Sequence, residues 1–291
     1  MAIQLNDDHL KARVFLRPQV KQVDIVLVGC GGTGSWLVQD LCRIAYGESR
    51  MAVSLTLVDP DHVEEKNVIR QNFAPAEMGR NKAKALAERY ASAYGLPIRA
   101  VPKAFAQNQI DPYRRSTFTI LIGCVDNAAA RQMLAKTLDG HADSMVWLDC
   151  GNHTVSGQVV LGNALTVENL SGAFKFNGRC TRLPCTFLLY PNLKKALPEE
   201  KRQAVKKMSC EDIVAANFQA LMVNRQVATI AATFVAELLA NTLKRFKTTF
   251  DLQTMTMQSS YIVPERVAGQ IAHAMGKTGY GVEVFKQGKD K

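Results

Sequence analysis

A glycine-rich run and one carboxylate are the first residues whose spacing indicates chemistry. The run GCGGTG holds Gly29, Gly31, Gly32 and Gly34 directly after an apolar stretch, and Asp59 ends the next apolar stretch. Glycines let the backbone turn sharply and approach a phosphate, while a following helix offers free N–H groups. An acid at the end of the second strand accepts hydrogen bonds from ribose hydroxyls. The pattern predicts a nucleotide site, and a nicotinamide-dependent dehydrogenase would show the same one.

Cations and one further carboxylate favour ATP over a nicotinamide cofactor. Asn67, Arg70 and Gln71 follow Asp59 in DPDHVEEKNVIRQNF, and Lys82 comes next in GRNKAKA. A guanidinium and an ammonium neutralise triphosphate oxygens. Asp126, after a third apolar stretch, is a hard oxygen ligand that suits Mg²⁺. Hydride transfer needs no such group of cations, so these residues predict an ATP and magnesium site.

The elements around these residues predict a doubly wound sheet. Apolar, β-branched runs indicate buried strands at 23–29, 53–59, 118–126, 145–151 and 155–162. Helical periodicity indicates helices over Ser35–Arg43, Lys82–Tyr94 and Asn127–Leu138. Strands alternating with helices are typical of a Rossmann-like α/β fold with a mainly parallel sheet. The strand ends that carry Asp59 and Asp126 should then meet at one edge, where such folds bind ligands.

The second half of the chain is less regular. We expect a loosely structured crossover over 163–210, a packing helix over Asp212–Thr242 and then a C-terminal helical and strand extension. The predicted organisation is a helix and linker at 1–22, an ATP-binding core at 23–162, the crossover and packing helix at 163–271, and a tail at 272–291.

Composition excludes several classes of protein. The net charge is +10, but the cations are dispersed and do not alternate with aromatic residues as a stacking surface for nucleic acid requires. No apolar run reaches the roughly 18 residues of a membrane span, and the first residues are too polar for a signal peptide. The 7 cysteines are scattered and odd in number. We therefore expect a cytoplasmic protein without a disulfide framework.

Together these motifs resemble one superfamily. The series GxGGxG, DxDxVExxNxxRQ, GxxKA and a strand followed by Asp-Asn is similar to the ThiF/MoeB/HesA and ubiquitin-activating adenylyltransferases. The segments DHVEEKNVIRQNF and GRNKAKALAERY most resemble the ThiF-like proteins of bacterial PRTRC gene cassettes. The resemblance extends over roughly residues 23–240 and is strongest up to 162.

The resemblance implies an activity, cofactors and partners. It implies ATP- and Mg²⁺-dependent adenylylation of the C-terminal carboxylate of a ubiquitin-like protein by a homodimer. The ribose is then held by Asp59 and the metal by Asp126, beside Asn127. The phosphates are faced by Asn67, Arg70, Gln71 and Lys82. An N-terminal arginine that reaches the ATP of a partner subunit is also implied, and Arg13 and Arg17 both remain candidates.

The cysteines of the crossover leave several roles open. Cys210 resembles the family cysteine that takes part in thioester, acyl-disulfide or persulfide chemistry, and a purely structural role is the alternative. Cys180 lies between Arg179 and Arg182 and is the second candidate. Many relatives bind zinc through two CxxC pairs. Here Leu188 stands where the pair begun by Cys185 would end, so we expect no zinc.

Alternative functions remain at this stage. The acceptor could be a tRNA base or a peptide rather than a ubiquitin-like protein, and the basic charge allows the former. The chain could also be a non-catalytic ATP-binding scaffold of a plasmid gene cassette. Retention of Arg70, Lys82 and Asp126 argues against a scaffold, which has no need of residues that stabilise a transferring phosphate.

Overall fold

A computed structural model gives the fold of the chain. It describes residues 7–110, 116–195, 210–276 and 281–286, with only the backbone described for 210–216. The predicted division into domains at residue 162 stays a prediction.

Ten strands form two sheets within the described ranges. Their bounds are β1 Val14–Phe15, β2 Gln22–Val28, β3 Ala52–Val58, β4 Ile98–Val101, β5 Thr117–Gly123, β6 Met145–Asn152, β7 Ser156–Gly162, β8 Arg179–Cys180, β9 Arg245–Asp251 and β10 Thr256–Tyr261. The main sheet has 8 strands in the order β10-β9-β7-β6-β5-β2-β3-β4, while β1 pairs with β8. The strands from β4 across to β6 are parallel. The remaining pairs in that sheet are antiparallel, which confirms a mixed but mainly parallel α/β fold.

Eight α-helices lie in the described residues. They are α1 Asp7–Lys11, α2 Gly32–Gly47, α3 Glu65–Val68, α4 Lys82–Tyr94, α5 Ala128–Leu138, α6 Thr186–Leu189, α7 Cys210–Leu239 and α8 Pro264–Ala274. Local signals explain the ends of several. Asn81 caps α4 by accepting from the Lys84 N–H, and Gly95 ends it with φ of 65°, in the left-handed region. Asn127 caps α5 by accepting from the Ala130 N–H.

The central strands are buried because helices cover both faces of the sheet. Every residue of β5 is buried, as expected for a parallel strand with helices on either side. The long helix α7 packs against α2, β6 and β7. This explains why its apolar residues occupy more than one side. The parallel register brings the ends of β2, β3 and β5 to one edge of the sheet.

The crossover is irregular but densely packed as far as it is described. We expected it to be loose, yet Leu170, Cys180, Leu183 and Cys185 are fully buried. Asn163 satisfies the irregular backbone, since its side chain donates to Ala142 O and Thr181 O and accepts from the Leu183 N–H. Periodicity could not reveal this order, because side-chain-to-backbone hydrogen bonds replace helices and strands.

The segment predicted as a tail from residue 272 contains structured residues. Residues Val282–Phe285 form a 3₁₀ helix, and Phe285 is buried. The Phe285 ring meets Phe174 edge-on, with centroids 4.7 Å apart, and the Gly172 N–H donates to Phe285 O. An apolar side chain late in the chain thus closes over the crossover.

Candidate functional site

The glycine-rich loop turns the chain from β2 into α2. Gly29 has φ of 92°, and a Cβ there would come within 2.4 Å of Cys124 O, so only glycine fits. Gly31 is the cap residue of α2, and the first turn of that helix carries N–H groups without intrahelical acceptors. Gly31 and Gly32 line a cleft at the carboxyl edge of the sheet. The loop therefore offers N–H groups and positive helix-dipole potential to an anion in this cleft.

Asp59 follows β3 and ties the glycine loop to the second strand end. One carboxylate oxygen accepts from the Cys30 N–H at 2.6 Å, and the other accepts from the Asp61 N–H at 2.8 Å. Burial raises the pKa of Asp59 above its usual value, although these two hydrogen bonds act in the opposite direction. Each oxygen has a second lone pair, so the carboxylate can shape the loop and still accept from a ribose.

The short helix α3 and the turn that follows it present three polar side chains to the cleft. Asn67 is buried and accepts from the Glu64 N–H, which fixes the start of α3. The half-buried guanidinium of Arg70 pairs with no acidic residue and donates to no acceptor within the described part of the chain. Gln71 is buried, and its Oε1 lacks a hydrogen-bond partner among the described residues. Polar groups that line a cleft and have no hydrogen-bond partner in the described residues indicate a site where a ligand binds.

Lys82 begins α4 on the neighbouring wall of the cleft. Its side chain is only 9% exposed, and Nζ lies 3.1 Å from Asp61 Oδ2. Asn81 holds this start of the helix in place by donating to the carbonyls of Asp59 and Asp61. The ammonium thus lies next to the Asp59 strand end, as the sequence predicted.

Asp126 and Asn127 lie between β5 and α5. Asp126 is exposed, and its Oδ1 accepts from Asn127 Nδ2 at 3.2 Å. No group of three or more His, Cys, Asp or Glu residues that could hold a metal occurs in the described ranges. Mg²⁺ is usually held by one or two carboxylates together with waters and substrate phosphates. A single exposed carboxylate beside the glycine-rich loop is a donor that such an ion could use.

These residues line one cleft of about 810 Å³, within the ~300–1,000 Å³ range of small-molecule sites. Ten of the predicted residues lie in its wall: Gly29, Gly31, Gly32, Asp59, Asn67, Arg70, Gln71, Lys82, Asp126 and Asn127. Gly34 does not line the cleft but packs within the loop, where a Cβ would meet Gly29 O at 1.9 Å. The side chain of Cys210 lies outside the described residues, although the backbone of Cys210 begins α7.

Asn224 and Asn152 are cleft residues that the sequence analysis missed. Asn224, on α7, is buried and accepts from Asn152 Nδ2 and from Thr33 Oγ1. A Cβ on Gly32 would lie 2.5 Å from Asn224 Nδ2. Asn224 is one of several polar residues in this helix. No sequence signal singled it out, and only the fold shows that it faces the glycine loop.

The two N-terminal arginine candidates bind elsewhere in this chain. Arg17 is buried and donates to Pro18 O and Leu239 O, which caps the end of α7. Arg13 donates to Asn177 Oδ1 at 3.1 Å. Neither lines the cleft formed by the described residues, so the role in a partner subunit stays a prediction.

Burial argues against Cys180 as a reactive residue. Its thiol donates to Arg182 O, and burial raises its pKa to about 12 in spite of the nearby arginine. Cys185 is also buried, with its pKa raised to about 11. The cations that flank Cys180 in the sequence do not lower its pKa enough to offset the loss of water around the thiol.

A buried ion pair lies behind the cleft. Arg131 Nε lies 3.3 Å from Asp149 Oδ1, and both side chains are nearly inaccessible. Burial raises the pKa of Asp149, while Arg131 acts to lower it. The pair links α5 to β6 and so helps to position the loop that carries Asp126.

No helix in the described ranges has both the length and the apolar character needed to cross a membrane.

Comparison of the sequence with known proteins gives a family match over most of the chain and a shorter match to one curated protein. A model of the ThiF family matches residues 16–266. Over 72 residues the chain is 36% identical to the tRNA threonylcarbamoyladenosine dehydratase of Haemophilus influenzae, a match that covers 24% of this chain and 25% of that protein.

Solved structures show the same fold. The crystal structure of selenomethionine PaaA superposes with a TM-score of 0.52 at 18% identity. E. coli MccB with ATP gives 0.52 at 14% identity, and MccB with AMPCPP and selenomethionine MccA gives 0.53 at 14%. Each match covers 84% of this chain but only 65% of the other. The chain therefore spans less than two thirds of these proteins, and at such identities the likeness is one of fold.

Proposed function

The chain belongs to the ThiF family, and from that premise we propose that it binds ATP in the cleft and adenylylates a carboxylate. The observation that carries this proposal is the pair of cationic side chains that line the cleft. Arg70 has no acidic partner among the described residues, and the buried Lys82, whose Nζ lies 3.1 Å from Asp61 Oδ2, lines the same cleft. Two cations next to a glycine loop suit a polyphosphate. Gln71, with its unpartnered Oε1, supplies a further polar contact.

The proposed reaction is in-line attack by an acceptor carboxylate on the α-phosphorus of ATP. The P–O bond to the β-phosphate breaks, giving an acyl-adenylate and pyrophosphate. Arg70 and Lys82 bind the phosphate oxygens and stabilise the negative charge that moves to the leaving pyrophosphate. Asp59 orients the ribose and the glycine loop holds the phosphates. Positioning and electrostatics suffice, because a carboxylate is already ionised and needs no general base.

Mg²⁺ is the metal that this donor set would hold. Asp126 supplies the carboxylate, and Asn127 orients it by donating to Oδ1. When bound, the ion neutralises phosphate charge.

The acceptor we propose is the C-terminal tail of a ubiquitin-like protein. This follows the sequence motifs from Asp59 to Asp126, which resemble those of the activating enzymes of such proteins. A homodimer and a later thioester or sulfur-transfer step at Cys210 belong to the same proposal. The crossover would then cover the acceptor tail beside the cleft.

ATP–pyrophosphate exchange tests the proposed reaction. The purified chain, given Mg-ATP, labelled pyrophosphate and a candidate ubiquitin-like protein, should return label to ATP. The same acceptor lacking its terminal glycine residues serves as the control. Calorimetry should show binding of ATP and not of NADH. Binding of NADH without ATP would contradict the proposal, as would an acceptor that forms a complex yet supports no exchange.

A tRNA base is the second candidate acceptor. It is favoured by the 36% identity over 72 residues to a protein named tRNA threonylcarbamoyladenosine dehydratase, and the net charge of +10 permits it. Release of AMP or ADP from ATP on addition of total tRNA, and not of ubiquitin-like proteins, would select this acceptor.

A further inference from the structure

Two cysteines lie side by side in the floor of the proposed nucleotide cleft. Cys124 directly follows β5, and Cys150 lies in β6, the neighbouring parallel strand. Gly123 pairs with Asp149 at the last position of this parallel ladder, and Cys124 and Cys150 are the residues that come directly after that pair. Both residues line the cleft. A hydrogen bond with Cys150, together with burial, raises the pKa of the Cys124 thiol well above its usual value.

The backbone spacing suits a disulfide. Adjacent strands lie about 4.7–4.9 Å apart, inside the roughly 4.4–6.8 Å range of Cα separations in disulfides. Side chains alternate between the faces of a sheet, so two residues opposite each other in register project from the same face. Cys124 is half-buried and Cys150 is 4% exposed. A small oxidant that enters the cleft therefore reaches Cys124 first.

We propose that Cys124 and Cys150 form a reversible disulfide that lowers the affinity of the cleft for nucleotide. With hydrogen peroxide as oxidant, the Cys124 sulfur attacks one oxygen and becomes a sulfenic acid. The O–O bond breaks, and the other oxygen takes the thiol proton and leaves as water. The raised pKa of Cys124 makes this first step slow, because the thiolate is the attacking form. The Cys150 sulfur then attacks the sulfenic sulfur, the S–O bond breaks, and the second oxygen leaves as water. Two thiols thereby lose two electrons and two protons, and the peroxide is reduced.

The bond would act on the cleft through the residues that follow each cysteine. Asp126 lies two residues after Cys124, and Asn152 lies two residues after Cys150 and donates to Asn224. A disulfide brings the sulfurs to about 2.05 Å, well inside a non-bonded contact. The glycine loop cannot move toward Cys124 together with the sulfur, because Gly29 already packs closely against Cys124 O. Joining the two strand ends must therefore shift Asp126 or the loop.

Chemical mapping tests the modification site without any need for nucleotide binding. The full chain, in a Cys210→Ser background, is treated with hydrogen peroxide, alkylated and mapped by mass spectrometry before and after dithiothreitol. We expect loss of two hydrogens per chain and a peptide pair joining Cys124 to Cys150, which dithiothreitol separates. Cys124→Ser and Cys150→Ser should abolish the linkage. Cys42→Ser, at a buried cysteine in α2, is the matched control and should retain it. A linkage through Cys30, or two alkylatable thiols at 124 and 150 after oxidation of the chain, would overturn the proposal.

Calorimetry with Mg-ATP tests the effect on the cleft, which rests on the proposed function. The oxidised chain should bind ATP at least tenfold more weakly, within the ~5–150-fold range usual for coupled sites, and dithiothreitol should restore binding. By the reciprocity of linkage, saturating Mg-ATP should lower the equilibrium constant for forming the disulfide in a dithiothreitol redox buffer by the same factor. Equal affinity of the oxidised and reduced chains would overturn the regulatory part. Failure of the reduced chain to bind ATP would instead count against the proposed function and leave the mapped disulfide standing.

Discussion

Asp126 stands at the mouth of the cleft, where its exposed carboxylate is held by one hydrogen bond from Asn127. Because it is exposed, Asp126→Ala should remove the proposed metal ligand without weakening the core. We expect magnesium-dependent ATP–pyrophosphate exchange to be lost, while the free energy of unfolding measured in urea stays within about 0.5 kcal/mol of the parent. Asp139→Ala is the control, since Asp139 is exposed at the other end of α5. Undiminished exchange in Asp126→Ala would remove Asp126 from the site.

Arg70 and Lys82 should contribute mainly to the transition state. Each change to Ala removes one preorganised donor, which costs about 2–4 kcal/mol of transition-state stabilisation. The loss should appear in kcat as well as kcat/KM, because charge on the leaving pyrophosphate is greatest as the bond breaks. Arg80→Ala is a suitable control, since Arg80 pairs with exposed Glu88 outside the cleft wall. An effect confined to KM would mean that the cations bind ATP and do not assist the reaction.

Cys210 can be separated from adenylation by one substitution. Formation of an acyl-adenylate needs no thiol, so Cys210→Ser should retain pyrophosphate exchange. A thioester or sulfur-transfer step should fail, because serine is not appreciably ionised near neutral pH. A non-reducing gel of chain, ATP and acceptor should show a thiol-labile adduct that Cys210→Ser lacks and Cys180→Ser keeps. If the parent chain gives no adduct, Cys210 has a structural role.

The residue types of the cleft were predictable, but their second roles were not. Spacing after each strand placed Asp59, Lys82 and Asp126 at one edge, since parallel strands end together. That Asp59 also accepts two backbone N–H groups depends on how closely the glycine loop approaches, and no pattern encodes such a distance. Asn224 was missed for a similar reason: it comes from a helix almost 200 residues after the loop.

At the scale of elements, the contact between α2 and α7 positions the glycine loop. Gly32→Ala would put a methyl group against the Asn224 amide, which is held by Asn152 and Thr33. We expect it to destabilise the fold by about 1–3 kcal/mol, as overpacking usually does. Asn224→Ala alone should cost about 1 kcal/mol through its hydrogen bonds. The double variant should cost less than the sum, because the clash is gone.

Urea unfolding of the parent chain, the two single variants and the double variant measures the coupling between Gly32 and Asn224. The non-additivity should fall in the ~0.5–3 kcal/mol range seen for residues in contact. Gly47→Ala is the matched control, since a Cβ at Gly47 in the same helix meets nothing within 4 Å. Strict additivity of the two changes would show that Asn224 can rotate away, and that it does not fix the loop.

Helices and strands whose apolar residues follow one clear period were predicted well. Elements that mix apolar and charged residues were not. The helix at Lys82–Tyr94 was predicted at its observed bounds because Asn81 and Gly95 mark both ends. β9 alternates buried and partly buried residues, but Arg245 and Lys247 occupy the second face and disguise the strand. Lys247 lies on the antiparallel side of the sheet, where one face need not be apolar. The sequence therefore indicated only a helical and strand extension there.

On the scale of the whole molecule, both ends of the described chain fasten the crossover. β1 pairs with β8 within the crossover, and the Phe15 N–H donates to Leu243 O after α7. At the other end, Phe285 lies against Phe174 and accepts from the Gly172 N–H. Segments that are distant in sequence thus hold a region whose own regular structure, where it is described, is limited to β8, α6 and short 3₁₀ helices.

The two phenylalanines should differ in how far their loss spreads. Phe15 is 1% exposed within the main core, so Phe15→Ala should lower the free energy of global unfolding by about 3–5 kcal/mol. Phe285 lies near the end of the described chain, in a 3₁₀ helix that contacts the crossover and α8. Its edge-on ring pair with Phe174 contributes roughly 0.5–1.5 kcal/mol beyond its buried area. Phe285→Ala should therefore open the crossover locally. Hydrogen exchange should show faster exchange at Gly172 with the amides of β5 unchanged, whereas Phe15→Ala should speed both. Equal acceleration in β5 by Phe285→Ala would mean that the C-terminal segment belongs to the global folding unit.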